Sequence, residues 1–87
     1  MEKKLPELTY PVEFPIRIIG NSQPTFFDDI VAILKHHVAD LDEDSITTRP
    51  SNAGKYISIS ARFIANSREQ MDDLYRELGA HPDVKTI

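Results

Sequence analysis

Residues 55–64 read Lys55-Tyr56-Ile57-Ser58-Ile59-Ser60-Ala61-Arg62-Phe63-Ile64 and give the clearest indication of the fold. Apolar and polar residues alternate along it, and a period of two places every second side chain on the same face of a strand. The apolar set is Ile57, Ile59, Ala61 and Phe63. Residues 55–64 are therefore predicted to form a strand with one buried face and one solvated face.

A second, shorter strand is predicted immediately before it, over residues 45–50. Pro50 ends this run, and Ser51-Asn52-Ala53-Gly54 supplies a four-residue connection rich in residues that suit a hairpin loop. We therefore expect the two strands to pair antiparallel.

Two helices flank this hairpin in the sequence. The first is predicted over residues 24–39, with Ser22 as its cap and an apolar stripe at helical spacing: Phe27, Ile30, Val31, Leu34 and Val38. The second is predicted over 67–78, where Ser67 and Gln70 fit a capping box and Gly79 occupies the expected left-handed position after the last turn.

Two further strands are predicted near the two ends of the sequence, over residues 12–19 and 83–87. The order is then βαββαβ, and two right-handed crossovers around one hairpin give a four-stranded antiparallel sheet in the order 4-1-3-2. The predicted fold class is α+β, a ferredoxin-like plait with both helices on one face. Residues 1–11 are predicted to be an extended N-terminal arm, and residues 12–87 a single domain.

Composition narrows the function classes. The 87 residues include no cysteine, which excludes disulfides, thiolate metal sites and thiol nucleophiles, and the formal net charge is −4. An acidic chain argues against unspecific nucleic-acid binding. No apolar run has the length of a membrane span, and the first residues lack the apolar stretch of a signal peptide. We therefore expect a cytoplasmic protein with no membrane association.

Several landmarks resemble a known family. They are Phe14-Pro15, Gly20, Arg49-Pro50-Ser51, Gly54-Lys55-Tyr56 with Ser58, Leu74-Tyr75 with Leu78, and His81-Pro82 with Val84. This set is similar to the YbeD-like family of small bacterial proteins of uncharacterised function. The resemblance implies a ferredoxin-like fold close to ACT domains, which sense amino acids and other small metabolites. It implies no activity and no catalytic residue.

Known catalytic and carrier roles of this plait are disfavoured by specific absences. The loop from Gly20 to Pro24 lacks the arginine with which acylphosphatases hold phosphate, and no cysteines are present to carry copper. RNA-recognition domains stack bases on several aromatic residues, whereas the polar side of residues 55–64 offers Tyr56 alone. We expect a protein that is not an enzyme, with no catalytic residue and no cofactor.

The end of the first helix and the acidic stretch after it could form either a metal site or a solvated helix end. His36 and Asp40 have helical i, i+4 spacing and could share an ion. Adjacent side chains on a helix point about 100° apart, however, so His36 and His37 are not expected to share one face. The sequence therefore favours a solvated helix end and predicts no metal site.

Two regions are predicted to bind a partner. The first is the loop Gly20, Asn21, Ser22 and Gln23, beside a helix N-terminus whose N–H groups favour anions. The second is the solvated sheet face, which carries Arg17, Arg49, Tyr56, Ser58, Ser60 and Arg62, with Thr48 replacing Arg49 if the register is shifted by one. Arginine with hydroxyl groups suits carboxylate, phosphate or acidic-protein recognition.

The predicted function is that of a regulatory or adaptor module that binds a small anionic metabolite or a protein partner. The alternative is weak nucleic-acid binding through the arginine-bearing sheet face. Edge strands in this plait favour pairing between two copies, so a homodimer is expected.

Overall fold

A computed structural model describes residues 9–51 and 53–87. Its elements are β1 (Val12–Asn21), α1 (Phe26–His37), a 3-10 turn (Glu43–Ser45), β2 (Thr47–Pro50), β3 (Tyr56–Ala65), α2 (Arg68–Ala80) and β4 (Val84–Thr86). The predicted βαββαβ order is confirmed. Residues 1–8 of the predicted arm and Asn52 of the hairpin loop lie outside the described residues.

The four strands form one antiparallel sheet in the order β2-β3-β1-β4, which is the predicted order read from the other edge. The central pair, β1 with β3, runs without a register shift from Val12 opposite Ala65 to Asn21 opposite Tyr56. β2 and β4 form the two edges. The α+β ferredoxin-like fold is therefore confirmed.

Alternate residues of β1 and β3 and one face of each helix form the core. The strands contribute Ile16, Ile18, Ile59, Ala61, Phe63 and Ala65. The helices contribute Phe26, Ile30, Leu34, Met71, Leu74 and Leu78. None of the buried side chains in the described part of the chain is polar or charged, so the layer between sheet and helices is an apolar core.

Pro15 lies within β1, a central strand, where it cannot donate a ladder hydrogen bond. The Asn21 N–H donates to the Asp83 carbonyl beside β4, and main-chain groups of alternate residues point to the same edge, so Pro15 faces that side too. β4 pairs with β1 only at Ile19 and Gly20. The missing N–H of Pro15 therefore faces an edge beyond the reach of β4, where a strand proline is tolerated.

α1 begins later and ends earlier than predicted. β1 continues through Gly20 and Asn21, and the Ser22 N–H donates to the Lys55 carbonyl at 3.0 Å, which prolongs the pairing with β3. The prediction that Ser22 caps α1 is therefore wrong. Thr25 holds the cap position, without a capping bond from its side chain.

The capping box at α2 is confirmed in part. The Ser67 Oγ accepts a hydrogen bond from the Gln70 N–H at 3.1 Å, as predicted. The Gln70 Oε1 accepts in return from Asn66, one residue before the cap, at 2.6 Å.

The C-terminal end of α2 was predicted wrongly. Helical backbone continues through Gly79 to Ala80, and the His81 N–H donates to the Leu78 carbonyl. Gly54 alone among the described glycines has a positive φ, of 72°. Gly79 is therefore an ordinary helical residue, because the turn that ends the helix is made two residues later, at His81.

Candidate functional site

The open face of the sheet, opposite the helices, gathers the predicted binding residues. Directly paired residues of antiparallel strands lie on the same face. Arg17 is paired with Ser60, and Arg49 with Ser58. Thr48 is opposite Ile59, a buried core residue, so the register selects Arg49 over Thr48 for the open face.

A shallow cavity of about 400 Å³ lies at the hairpin end of this face. It is lined by Arg17, Ile19, Arg49, Pro50, Ser51, Tyr56, Ile57 and Ser58. A second hollow of about 410 Å³ adjoins it on the other side of Arg17 and includes Ser60 and Arg62. Volumes of this size lie at the lower end of the range for small-ligand sites.

The charges in the two hollows differ in how they are compensated. The Arg62 guanidinium lies 3.8 Å from a carboxylate oxygen of Glu13. Arg17 and Arg49 are exposed, and neither forms an ion pair within residues 9–51 and 53–87. The cavity at the hairpin end therefore has two uncompensated guanidinium groups.

Hydroxyl groups line this cavity, and a further cation lies beside Tyr56. Ser58 lies between the two arginine-bearing strands, and its Oγ donates to the Arg49 carbonyl at 3.5 Å, at the limit of hydrogen bonding. The Lys55 Nζ lies 5.6 Å from the centre of the Tyr56 ring at the rim. The arrangement provides cationic and hydroxyl donors without a carboxylate, which suits an anion.

The predicted binding loop, residues 20–23, is closely packed, and the main-chain amides of residues 21–23 are hydrogen-bonded within the chain. Gly20 is buried, and a Cβ there would lie 2.3 Å from the Phe26 ring and 2.4 Å from the Asp83 carbonyl oxygen. The Asn21 N–H donates to Asp83, and the Gln23 N–H donates back to the Asn21 carbonyl, both at 2.9 Å. With the Ser22 N–H bonded to Lys55, all three amides from Asn21 to Gln23 already have partners.

His81 lies next to this loop and forms hydrogen bonds with Asp83 and Asp29. Its Nδ1 accepts a hydrogen bond from the Asp83 N–H at 3.1 Å, so the proton is on Nε2, which donates to Asp29 at 3.0 Å. Both ring nitrogens are occupied, and the ring packs in a T-shaped arrangement with the Phe26 ring. His81 therefore ties α1 to the start of β4 and has no free nitrogen for proton transfer. Its sequence signal, His81-Pro82, indicated only the end of a helix, because Asp29 is 52 residues away.

The structure brings His36 and His37 together, although the sequence predicted that these adjacent side chains would not share one face of the helix. The His36 Nδ1 lies 3.5 Å, and the His37 Nε2 2.6 Å, from the same oxygen of Glu77 on α2. The two adjacent histidines therefore share a partner, because His36 reaches the Glu77 oxygen with Nδ1, close to its backbone, and His37 reaches it with Nε2, at the far side of its ring. The His37 hydrogen bond is the main cause that lowers the pKa of Glu77 below its ordinary value of 4.5.

Comparison with known proteins establishes the family. The family described as "Protein of unknown function (DUF493)" matches residues 5–87. The chain belongs to the DUF493 family. The YbeD-like resemblance seen in the sequence is confirmed, and the DUF493 match covers all the residues of the open face.

Relatives of this DUF493 chain are called UPF0250 proteins. One from Paraburkholderia phytofirmans is 41% identical over 90% of this chain and 88% of its own length. Another from Nitrosomonas europaea, UPF0250 protein NE1487, is 39% identical over 92% of both chains. The solution structure of protein HP0495 from H. pylori aligns with a TM-score of 0.69 at 14% identity, covering 98% of this chain and 89% of that one. That likeness supports the fold alone.

One structural finding bears on membranes. Within the ranges that the structure describes, no helix of this DUF493 chain is both long and apolar enough to span a bilayer.

Proposed function

We propose that this DUF493 protein is a non-enzymatic regulatory or adaptor module that binds a small anionic metabolite on the open face of its sheet. One observation carries the proposal. Arg17 and Arg49 line the same cavity, and in the described part of the chain neither guanidinium has a carboxylate partner.

The spacing of the two arginines suits an anion held between them. β1 and β2 lie on opposite sides of β3, so their backbones are about 10 Å apart, and two arginine side chains can converge over the central Ser58. A guanidinium fork matches the planar oxygens of carboxylates and the oxygens of phosphates. A carboxylate or phosphate group is therefore the chemistry that this cavity favours.

The distribution of charge supports the same conclusion. The acidic residues of the two helices and of the α1–β2 connector lie away from the open face, and Glu13, which is on the open face, is paired with Arg62. An anion approaching Arg17 and Arg49 therefore meets little local repulsion, although the whole chain is acidic.

Binding is better supported than catalysis. His81 has both ring nitrogens in hydrogen bonds, and the cavity lining contains no histidine or carboxylate that could move a proton. Recognition by arginine and serine needs neither. Nucleic-acid binding is less supported, because Tyr56 alone provides a stacking surface in the cavity.

A ligand screen with matched arginine variants tests the proposal. Inorganic phosphate, citrate and free amino acids are screened by thermal shift, and each hit is titrated by calorimetry. We expect Arg17→Gln and Arg49→Gln each to weaken binding about tenfold, the loss of roughly one charge-assisted contact. The control is Arg76→Gln, an exposed arginine on α2 that pairs with Asp73.

The outcomes separate the candidates. Loss in both cavity variants with Arg76→Gln unchanged supports the proposal. Equal affinity in all variants, or no anion that binds, contradicts it. Binding only to an oligonucleotide, with an affinity that falls steeply with salt, would assign the face to nucleic acid instead.

In this proposal the protein acts in the cytoplasm as a homodimer. β4 covers β1 only at Ile19 and Gly20, so the outer edge of β1 has main-chain groups that β4 does not reach. Sedimentation at several concentrations tests this part, and a monomer at all concentrations would refute it.

A further inference from the structure

The helical layer has a second cluster, separate from the sheet face. His36 and His37 are the last two residues of α1, and Glu77 comes from α2. One ligand atom from each of the three side chains lies within 4.8 Å of the others. No other group of three such residues in ranges 9–51 and 53–87 is arranged this closely.

The donor set has the chemistry of a transition-metal site. Two imidazoles and one carboxylate are a ligand combination used by zinc, and imidazole also suits nickel and copper. Tetrahedral bonds of about 2.0–2.2 Å place donor atoms about 3.4 Å apart. The His36 Nδ1 to Glu77 Oε1 distance of 3.5 Å already fits this spacing, while the His37 to Glu77 distance of 2.6 Å must widen.

The surroundings hold the cluster and leave one side open. The His37 side chain is 15% exposed, and its main-chain carbonyl accepts from Gln70 Nε2 at 2.8 Å, which anchors the end of α1 to α2. The His36 side chain is 72% exposed and Glu77 45%, so the outer side of the cluster faces solvent. Glu77 therefore has room to move, and solvent has access to a fourth coordination position.

Neighbouring cations do not compete for Glu77. The Lys35 ammonium bonds Glu43 at 2.6 Å, and the Arg76 guanidinium bonds Asp73 at 2.8 Å. Among the described residues, the side-chain contacts of the Glu77 carboxylate are therefore with the two imidazoles alone.

From this geometry we propose that His36, His37 and Glu77 bind one divalent transition-metal ion of the zinc or nickel class. The ion links the C-terminal end of α1 to α2 through three protein ligands, with water or a small ligand in the remaining position. The site is independent of the anion cavity, which lies on the opposite face of the sheet.

Calorimetric titration of the untagged full chain with zinc chloride and with nickel chloride tests the site. We expect one ion per chain with a dissociation constant on the order of micromolar, and a higher Tm in the presence of the ion. His36→Gln, His37→Gln and Glu77→Gln should each weaken binding about tenfold or more. Glu69→Gln, which changes an exposed glutamate in the first turn of α2 outside the cluster, is the matched control.

Paramagnetic nickel gives a second readout that does not depend on heat. Amide signals of His36, His37 and Glu77 should broaden first, and circular dichroism of each variant checks that it folds. Absence of binding up to on the order of 1 mM ion overturns the proposal, as does an affinity that the three cluster variants leave unchanged. Phosphate titration of Glu77→Gln should match the wild type, so failure of either site is distinguishable from failure of the other.

Discussion

Substitution of Gly20 by alanine should destabilise the protein severely. The added Cβ would lie 2.3 Å from the Phe26 ring and 2.4 Å from the Asp83 carbonyl oxygen, both far inside van der Waals contact. Phe26 is 1% exposed, and the Asp83 oxygen accepts the Asn21 N–H, so neither neighbour moves cheaply. Overpacking costs typically 1–3 kcal/mol, and two such contacts place Gly20→Ala near the upper end, at about 3 kcal/mol.

Urea unfolding followed by far-UV circular dichroism measures this loss. In a domain of this size, about 3 kcal/mol corresponds to a fall in Tm of roughly 12–24 °C. The matched control is Gly79→Ala, because no atom lies within 4 Å of a Cβ there and Gly79 is helical. That variant should gain about 0.5–1 kcal/mol.

The two glycines therefore test the packing in opposite directions. A loss below about 1 kcal/mol for Gly20→Ala would mean that Phe26 and Asp83 do not close over Gly20, against the range expected for overpacking. The Gly20–Gln23 loop would then be open, and its role as a ligand site would regain support. A loss of stability in Gly79→Ala would instead indicate the left-handed conformation that the sequence had suggested.

Three further predictions concern stability. Ser67→Ala removes the cap on the Gln70 N–H and should lower the unfolding free energy by about 1 kcal/mol, measured in urea. The folded-state pKa of Glu77 is lowered, so the stabilising contribution of this carboxylate is complete above about pH 4.5. The contribution is lost as the pH falls through the folded-state pKa. Glu77→Gln and wild type should therefore converge in stability on acidification, and a constant difference would refute this. Burial raises the pKa of Tyr75 above 10.0, so stability should fall above pH 10, and less so in Tyr75→Phe.

Periodicity in the sequence predicted the elements because each buries one face. The alternation in residues 55–64 is matched in the structure by Ile59, Ala61 and Phe63 on the core side. The choice between Arg49 and Thr48 stayed open because it depends on the pairing of β2 with β3, which the short β2 sequence does not specify.

The errors concern groups whose partners are distant in sequence. The Asn21 and Ser22 amides donate to the carbonyls of Asp83 and Lys55, which lie just before β4 and β3, so the sequence could not show that these two amides are occupied. His36 and His37 meet Glu77 some 40 residues later for the same reason. Element boundaries were also missed. The pairing of β1 beyond Ile19 depends on tertiary hydrogen bonds, and helix ends vary by one or two residues.

Mapping of inorganic phosphate binding by amide NMR tests whether the open face of the sheet binds anions. We predict that the largest chemical-shift changes lie at Arg17, Arg49 and Ser58 and that they saturate. Arg49→Gln should raise the phosphate concentration at the midpoint about tenfold, whereas Arg76→Gln should leave it unchanged. Changes centred on Asn21 to Gln23, or an Arg49→Gln titration with the same midpoint as the wild type, would contradict the assignment of anion binding to the open face.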